Sequence, residues 1–377
     1  MLTNIITNLG GHTGYNILAY NMISGLRRKL ASENLVFEDE VCVIADQHST
    51  SRDPILSSNI QKTNITRLAP KTIALFPFSK MMDFHAKYRI GFPMYEGSKL
   101  SKADIAFLNT LDHVVSPCDH LTKIYKDSLD IPVSQIEIGI DTNIYRNYTT
   151  NKQTRDHSNP YTPTNPCVFL MLGKFETRKS SVETLIAFLK FFEEHPLRDS
   201  VVLKLKWLTH GYARNLNDIK QTTNNLFKMY PRASKRVVFL DNPREDVVRL
   251  YNEADCFLFP SRAEGVGLPL LEAMACELPC ITTPYTSLST YANSKVAIML
   301  PDRGQVPMED PFYGIKSETW GTYGKIEIED LMLAFDMFLS MSMQQRLDLG
   351  ANARSFVEMN FDSFLFGERL LNFVRSI

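Results

Sequence analysis

Among 377 residues there are only six cysteines, Cys42, Cys118, Cys167, Cys256, Cys276 and Cys280, and they are scattered through apolar runs. That pattern excludes a disulfide framework and reads as buried free thiols in a reducing compartment, so a cytoplasmic location is expected. Cys276 and Cys280 lie close in sequence, but no nearby His or Cys pair completes a zinc set, and no metal site is expected. The sequence also lacks any run approaching the about eighteen apolar residues of a membrane-spanning helix. Its start, MLTNIITNLGGHTGY, lacks the basic opening and long apolar core of a signal peptide. A soluble protein is expected, with peripheral membrane contact left open.

Excess charge is missing too. Lys plus Arg number 41 and Asp plus Glu 42, for a net charge of −1, which argues against a general polyanion binder and makes a nucleic-acid partner unexpected. The short basic clusters at Arg27–Lys29 and Arg232–Arg236 read as solvated helix faces or turns. There is no internal repeat and no low-complexity tract. What remains, 44% hydrophobic and 22% charged residues, is the composition of a soluble globular enzyme long enough for two domains.

The most informative stretch is ADCFLFPSRAEGVGLPLLEAMACELPCITTP, residues 254–284. Cys256–Phe259 has the length and composition of a buried parallel strand. Pro260 and Ser261 end it, and a turn with Gly265 and Gly267 follows. Pro269 suits a first helical turn, and Leu270–Cys276 continues as good helix formers. Strand, glycine loop and helix in this order aim backbone N–H groups at an anion such as phosphate. Glu264 and Glu272 flank that position, and acids beside an anion site suit a ligand that also carries hydroxyls, such as a sugar nucleotide. The bland alternative is an ordinary α/β unit with two unrelated glutamates.

The run Phe-Pro-Ser-Arg, Glu-Gly-x-Gly-Leu-Pro-x-x-Glu-Ala-Met-Ala-Cys and a following Pro resembles the signature of the family-4 retaining glycosyltransferases, with its Glu-x7-Glu motif. The resemblance implies an α/β fold of GT-B architecture, two facing Rossmann-like, doubly wound domains with a cleft between them. It implies that Glu272 accepts hydrogen bonds from the donor's ribose, that Glu264 contacts the donor sugar at the reacting face, and that Gly265, Val266, Gly267 and Leu268 line the donor. It also implies front-face departure of the leaving group.

Taken in order, the chain alternates strands with helices in each half, which demands parallel sheets. Leu2–Thr7 runs into the glycine cluster Gly10–Gly14, and the resemblance places Gly11 and His12 of that loop over the donor phosphate. Strands are expected at Val41–Ala45, Ile73–Phe76, Tyr88–Met94, His113–Pro117 and Ile136–Ile140, with a helix capped near Ser116. Glu96 lies in a polar turn at a strand's C-terminal end, where open α/β sheets bind ligands, and reads as a sugar or acceptor contact or a surface carboxylate. Relatives place a histidine near this point.

Residues 1–150 form the expected N-terminal, acceptor-side domain. The segment 151–166, rich in Thr, Asn and Pro, is the expected linker. Residues 167–360 form the nucleotide-sugar-binding domain, and the helix at about 361–377 packs back on the first domain. The second domain opens with a strand and the turn Gly173–Lys179, whose cations suit a diphosphate leaving group. By resemblance Lys179 matches the family's lysine and Lys174 stands where the family has arginine, a point charge in place of a bidentate fork. Gly173 joins the donor site, and Arg178 reads as an exposed neighbour. Residues 302–324, with several Gly and Pro, read as irregular.

The expected function is metal-independent, retaining transfer of a sugar from a nucleoside-diphosphate sugar, with no other cofactor, to a hydroxyl on a glycan, a lipid-linked acceptor or another molecule. UDP and GDP donors are not distinguished. Two further readings stay open: a nucleotide-sugar-binding protein without transferase activity, and a glycosyltransferase acting on modified nucleic-acid bases.

Overall fold

Short apolar runs alternating with helices of ten or more residues build parallel sheets, and the helices cover both faces. The computed structural model describes residues 2–7, 14–45, 69–75, 86–148, 161–208, 216–240, 246–310 and 314–377. The glycine loop with Gly11 and His12, most of 46–70, His85 and most of the linker lie outside the described residues. The described chain divides into two units, Met1–Thr142 with Glu358–Ile377, and Asn143–Val357.

In the first unit six strands are β1 (Thr3–Thr7), β2 (Val41–Ala45), β3 (Lys71–Leu75), β4 (Tyr88–Gly91), β5 (His113–Ser116) and β6 (Val133–Gln135). They form one sheet in the order β2-β1-β3-β4-β5-β6, every pair parallel. The last strand is three residues earlier than the apolar run Ile136–Ile140 suggests. Ile140 makes only an isolated bridge to Asp362, because its backbone N–H is taken by Phe361 O (2.8 Å) and its carbonyl by Ser363 N (2.7 Å). Likewise no side chain caps the helix Asp119–Ser128; Ser116 Oγ pairs with Thr122 Oγ1 instead.

The C-terminal helix Ser363–Ser376 lies against the helix Gly14–Ser32. Gly25 and Gly367 meet there, and a Cβ on either would overlap the other helix's backbone. Arg28 and Lys29, both partly exposed, reach this helix: Arg28 lies 3.0 Å from both Asp362 and Ser363, and Lys29 lies 2.8 Å from Glu368. The basic cluster therefore ties the end of the chain to its beginning.

The second unit repeats the plan with β7 (Cys167–Lys174), β8 (Val201–Leu208), β9 (Val237–Phe239), β10 (Cys256–Phe259), β11 (Cys280–Thr282) and β12 (Ile298–Met299). Their order is β12-β11-β10-β7-β8-β9, again parallel throughout. Phe169 sits at the centre, with ring centroids of Phe335, Phe338 and Phe192 at 5.3, 5.5 and 6.1 Å. Each such buried side chain contributes roughly 2 kcal/mol through lost water contact. The segment expected to be irregular holds an antiparallel hairpin, β13 (Gln305–Pro307) with β14 (Thr322–Gly324). All six cysteines are buried free thiols. Among the described residues no helix is long and apolar enough to cross a membrane.

Candidate active site

In the second sheet the chain leaves β7 towards β8 and β9 on one side and returns to β10, β11 and β12 on the other. Strand order reverses between β7 and β10, and the loops following these neighbours leave a crevice at their C-terminal ends. Both candidate turns, Phe175–Ser180 after β7 and Pro260–Gly267 after β10, arise there. Topology alone brings them together.

After β7, Thr177–Lys179 forms a single tight helical turn and Ser180 takes a left-handed conformation (φ 54°) before the helix Ser181–Glu194 begins. This turn carries Arg178 and Lys179 towards the β10 loop. Lys179 Nζ pairs with Glu264 Oε1, which also accepts from Ser261 Oγ, and lies 4.8 Å from the centre of the Phe259 ring. Arg178 is not an exposed neighbour: it is 7% exposed. One guanidinium nitrogen is 3.1 Å from Glu264 Oε1 and donates to Ala263 O at 2.8 Å, and the other meets Glu176 at 2.6 Å. A buried guanidinium needs such a set of partners, and here the fork finds a carboxylate on each side. Lys174, half exposed, lies 3.6 Å from Glu176.

Burial alone would push the Glu264 carboxyl up. The Lys179 and Arg178 cations, with hydrogen bonds from Lys179 and Ser261, outweigh it and hold the carboxyl below its ordinary value. Glu264 thus stands as a charged, buried carboxylate at the mouth of the switch point.

The β10 loop closes into the helix Leu268–Ala275 at Gly267, whose φ of 82° suits glycine. A Cβ there would also come within 2.7 Å of Leu288 Cδ2 and of the Tyr291 hydroxyl, which donates to Val266 O. Pro269 sits in the first helical turn. Glu272 lies on this helix, 3% exposed. Its Oε2 accepts from the Tyr251 hydroxyl at 2.9 Å, while Oε1 is buried without a hydrogen bond. Burial pushes this carboxyl up to about 7, against the hydrogen bonds of Tyr251 and Tyr145, which pull it down. The two glutamates therefore differ in kind: one is locked in a cationic cage, and the other keeps an oxygen in reserve.

Residues 166–306, which contain both turns, match the family described as glycosyl transferases group 1. This segment is a group 1 glycosyltransferase domain. The chain is similar to the serotype-specific mannosyltransferase WbdA of Escherichia coli, 30% identical over 115 residues, which is 30% of this chain and 13% of that protein. It is also similar to the Escherichia coli enzyme named UDP-Gal:alpha-D-GlcNAc-diphosphoundecaprenol alpha-1,3-galactosyltransferase, 31% identical over 122 residues, or 32% of this chain and 28% of that one. The chain thus spans only a minor part of the length of these curated relatives. Among solved structures, sucrose-phosphate synthase from Thermosynechococcus elongatus superposes with a TM-score of 0.69 at 16% identity, covering 99% of this chain and 98% of that one. That likeness is one of fold, and the fold is GT-B.

Within the group 1 domain, Gly173 and Lys174 are the last residues of β7, which runs two residues further than its apolar part suggests, Lys179 lies on the turn that follows, and Glu264, Gly265, Val266, Gly267, Leu268 and Glu272 lie on the β10 loop and the helix after it. Glu96 belongs to the first unit, half-buried in the loop after β4. Around it the hydroxyls of Tyr15, Tyr95 and Tyr125 hold that loop's backbone at Met94, Lys99 and Pro93. Gly11 and His12 lie outside the described residues. Among the described residues no three His, Cys, Asp or Glu side chains gather as a metal site would.

The loop Pro284–Leu288 after β11 reads from sequence as a plain surface turn or as one approaching the site; its Thr286 Oγ1 exchanges hydrogen bonds with the backbone of Glu264 at 2.7 and 3.0 Å. Two other contributors carry no sequence signal. Asp310, in the connection between β13 and β14, accepts from Thr177 N at 2.7 Å and so fixes the start of the Arg178–Lys179 turn. Tyr251 comes from the helix before β10. None belongs to a local motif, and only packing brings each to the site.

Proposed function

We propose that this protein is a retaining glycosyltransferase that moves a sugar from a nucleoside-diphosphate sugar to a hydroxyl of a glycan or lipid-linked acceptor. The observation that carries the reading is the contact of Lys179 with Glu264 at the switch point, inside the segment that matches the group 1 family. The similar galactosyltransferase, whose name gives a UDP-sugar donor and a lipid-diphosphate-linked sugar acceptor, supports the substrate class.

In this reading the bond from the anomeric carbon to the β-phosphate oxygen breaks, and the acceptor oxygen bonds to the same face of that carbon. The acceptor's proton passes to the departing phosphate oxygen, so nucleoside diphosphate is released and no covalent sugar–enzyme bond forms. Lys179, with Lys174 at the end of β7, meets the charge that develops on the diphosphate, and the N–H groups around Gly267 and Leu268 add the dipole of the helix start. The charged Glu264 faces the positive character of the sugar carbon. Glu272 offers its unused oxygen to a ribose hydroxyl. Gly11 and His12, and Glu96 in the first unit, are assigned to donor and acceptor contacts on the same reading. With lysines beside the diphosphate, the neutralising charge comes from the chain and not from a divalent ion.

A panel of UDP-, GDP- and ADP-sugars tests this. One donor should raise the melting temperature by a few degrees, since ligand at ~100 times Kd adds about 2.7 kcal/mol. The same donor should release nucleoside diphosphate slowly without acceptor, and the product should keep the donor's anomeric configuration by NMR. Stabilisation without release leaves a binding protein, and an inverted product removes the retaining mechanism.

A further inference from the structure

Lys179 carries two tasks in the reading above, on which this inference rests: it neutralises Glu264 and it meets the diphosphate. One ammonium cannot serve both anions fully. The neighbouring Arg178 has no such freedom to leave. Its guanidinium is held from behind by Glu176 at 2.6 Å and from the side by Ala263 O at 2.8 Å, and its remaining reach is towards Glu264 at 3.1 Å. Its own carbonyl is pinned by Arg262 N at 2.8 Å. We infer that Arg178 is a positioning residue, the standing counter-ion that keeps Glu264 charged and in place while Lys179 turns to the donor's diphosphate.

Among the described residues the groups facing Glu264 come from three elements. Arg178 and Lys179 stand on the turn after β7, Ser261 on the same loop as Glu264, and the Thr286 hydroxyl on the loop after β11, touching only the Glu264 backbone. Glu176, behind Arg178, is the nearest other carboxylate in this chain of contacts, and Arg178 and Lys174 between them offset it. If Lys179 shifts, Arg178 is the remaining cation on Glu264. Without it, the buried carboxylate would keep, among the described residues, only the Ser261 hydroxyl and would take up a proton.

The test is calorimetry of UDP, GDP and ADP binding near pH 6.5, in buffers of different ionisation enthalpy, on the full chain and its Arg178→Met variant. The heat dependence counts protons taken up on binding. Glu272 contributes equally to both proteins, so the difference between them reports on Glu264. Arg178→Met is expected to take up about one proton more per nucleoside diphosphate than wild type. Should the Met variant fail to fold, Arg178→Lys serves: lacking the fork, it cannot hold Glu176 and Glu264 together, and uptake above the wild-type value is expected. A merely structural arginine would lower the melting temperature and leave the proton count unchanged, and that outcome overturns the inference. If wild type binds none of the three nucleotides, the donor reading itself fails, which is a different result from binding with no change in protons.

Discussion

Glu272→Gln should stabilise the ligand-free protein above neutral pH while weakening its hold on the donor. Burial lifts the carboxyl from 4.5 to about 7, and an interval of that size is worth about 3 kcal/mol at ~1.4 kcal/mol per pH unit. The sign follows from linkage. A carboxyl whose folded value is raised binds more protons in the native state, so its contribution is fully present below about 4.5 and is lost as pH rises to about 7. At pH 8 wild type therefore carries a penalty of about 3 kcal/mol that a neutral glutamine avoids. Tyr251 can still donate to the amide oxygen, but the amide N–H group replaces the unpaired Oε1 and costs about 1–2 kcal/mol when buried. The net gain at pH 8 is then about 1–2 kcal/mol, and at pH 5 the variant should be equal to wild type or slightly weaker. Melting curves at pH 5, 6, 7 and 8 check this. Wild type should lose stability between pH 5 and 7.5 relative to the variant, and parallel curves would refute the burial argument. Donor titration on the same proteins should show weaker binding in the variant, since a carboxylate is the stronger acceptor for a ribose hydroxyl.

Lys179→Ala should lower turnover by at least ~10², the size of a lost charge donor at a leaving group, and near-normal turnover with any donor would remove Lys179 from the mechanism. Gly267→Ala forces a methyl group to within 2.7 Å of Leu288 and Tyr291 at a φ of 82°. It should cost about 3 kcal/mol, a fall in melting temperature of about 4 °C for a chain of this length; an unchanged melting temperature would mean that the β10 turn can relax without cost.

Much of the second unit was legible locally. The apolar run Cys256–Phe259, the Pro and Gly after it and the helix formers behind Pro269 each announce one conformation, and period and turn chemistry agree. The hairpin at Gln305–Gly324 was not legible because its strands are three residues each, too short for a period. Val133–Gln135 escaped for the same reason, and the more apolar Ile136–Ile140 drew the strand assignment that its backbone gives to Asp362 and its neighbours. Arg178 was misread because a lone arginine in a turn has no sequence partner that signals burial. Its carboxylates, Glu176 and Glu264, are two and eighty-six residues away, and the second contact exists only because β7 and β10 are sheet neighbours.

The sequence by itself determined which turns bear charge and glycine, that strands alternate with helices, and hence that parallel sheets must form. Local chemistry suffices for these, since conformational preference and hydrophobic period act over a few residues. The tertiary structure decided which turns meet and in what electrical state. Strand order placed the Lys179 turn beside Glu264, and burial then set the two glutamates apart: cations hold Glu264 charged, while Glu272, with the Tyr251 and Tyr145 hydroxyls beside it, is driven towards neutrality. That difference depends on desolvation and on distances across the fold, which no local pattern of residues encodes.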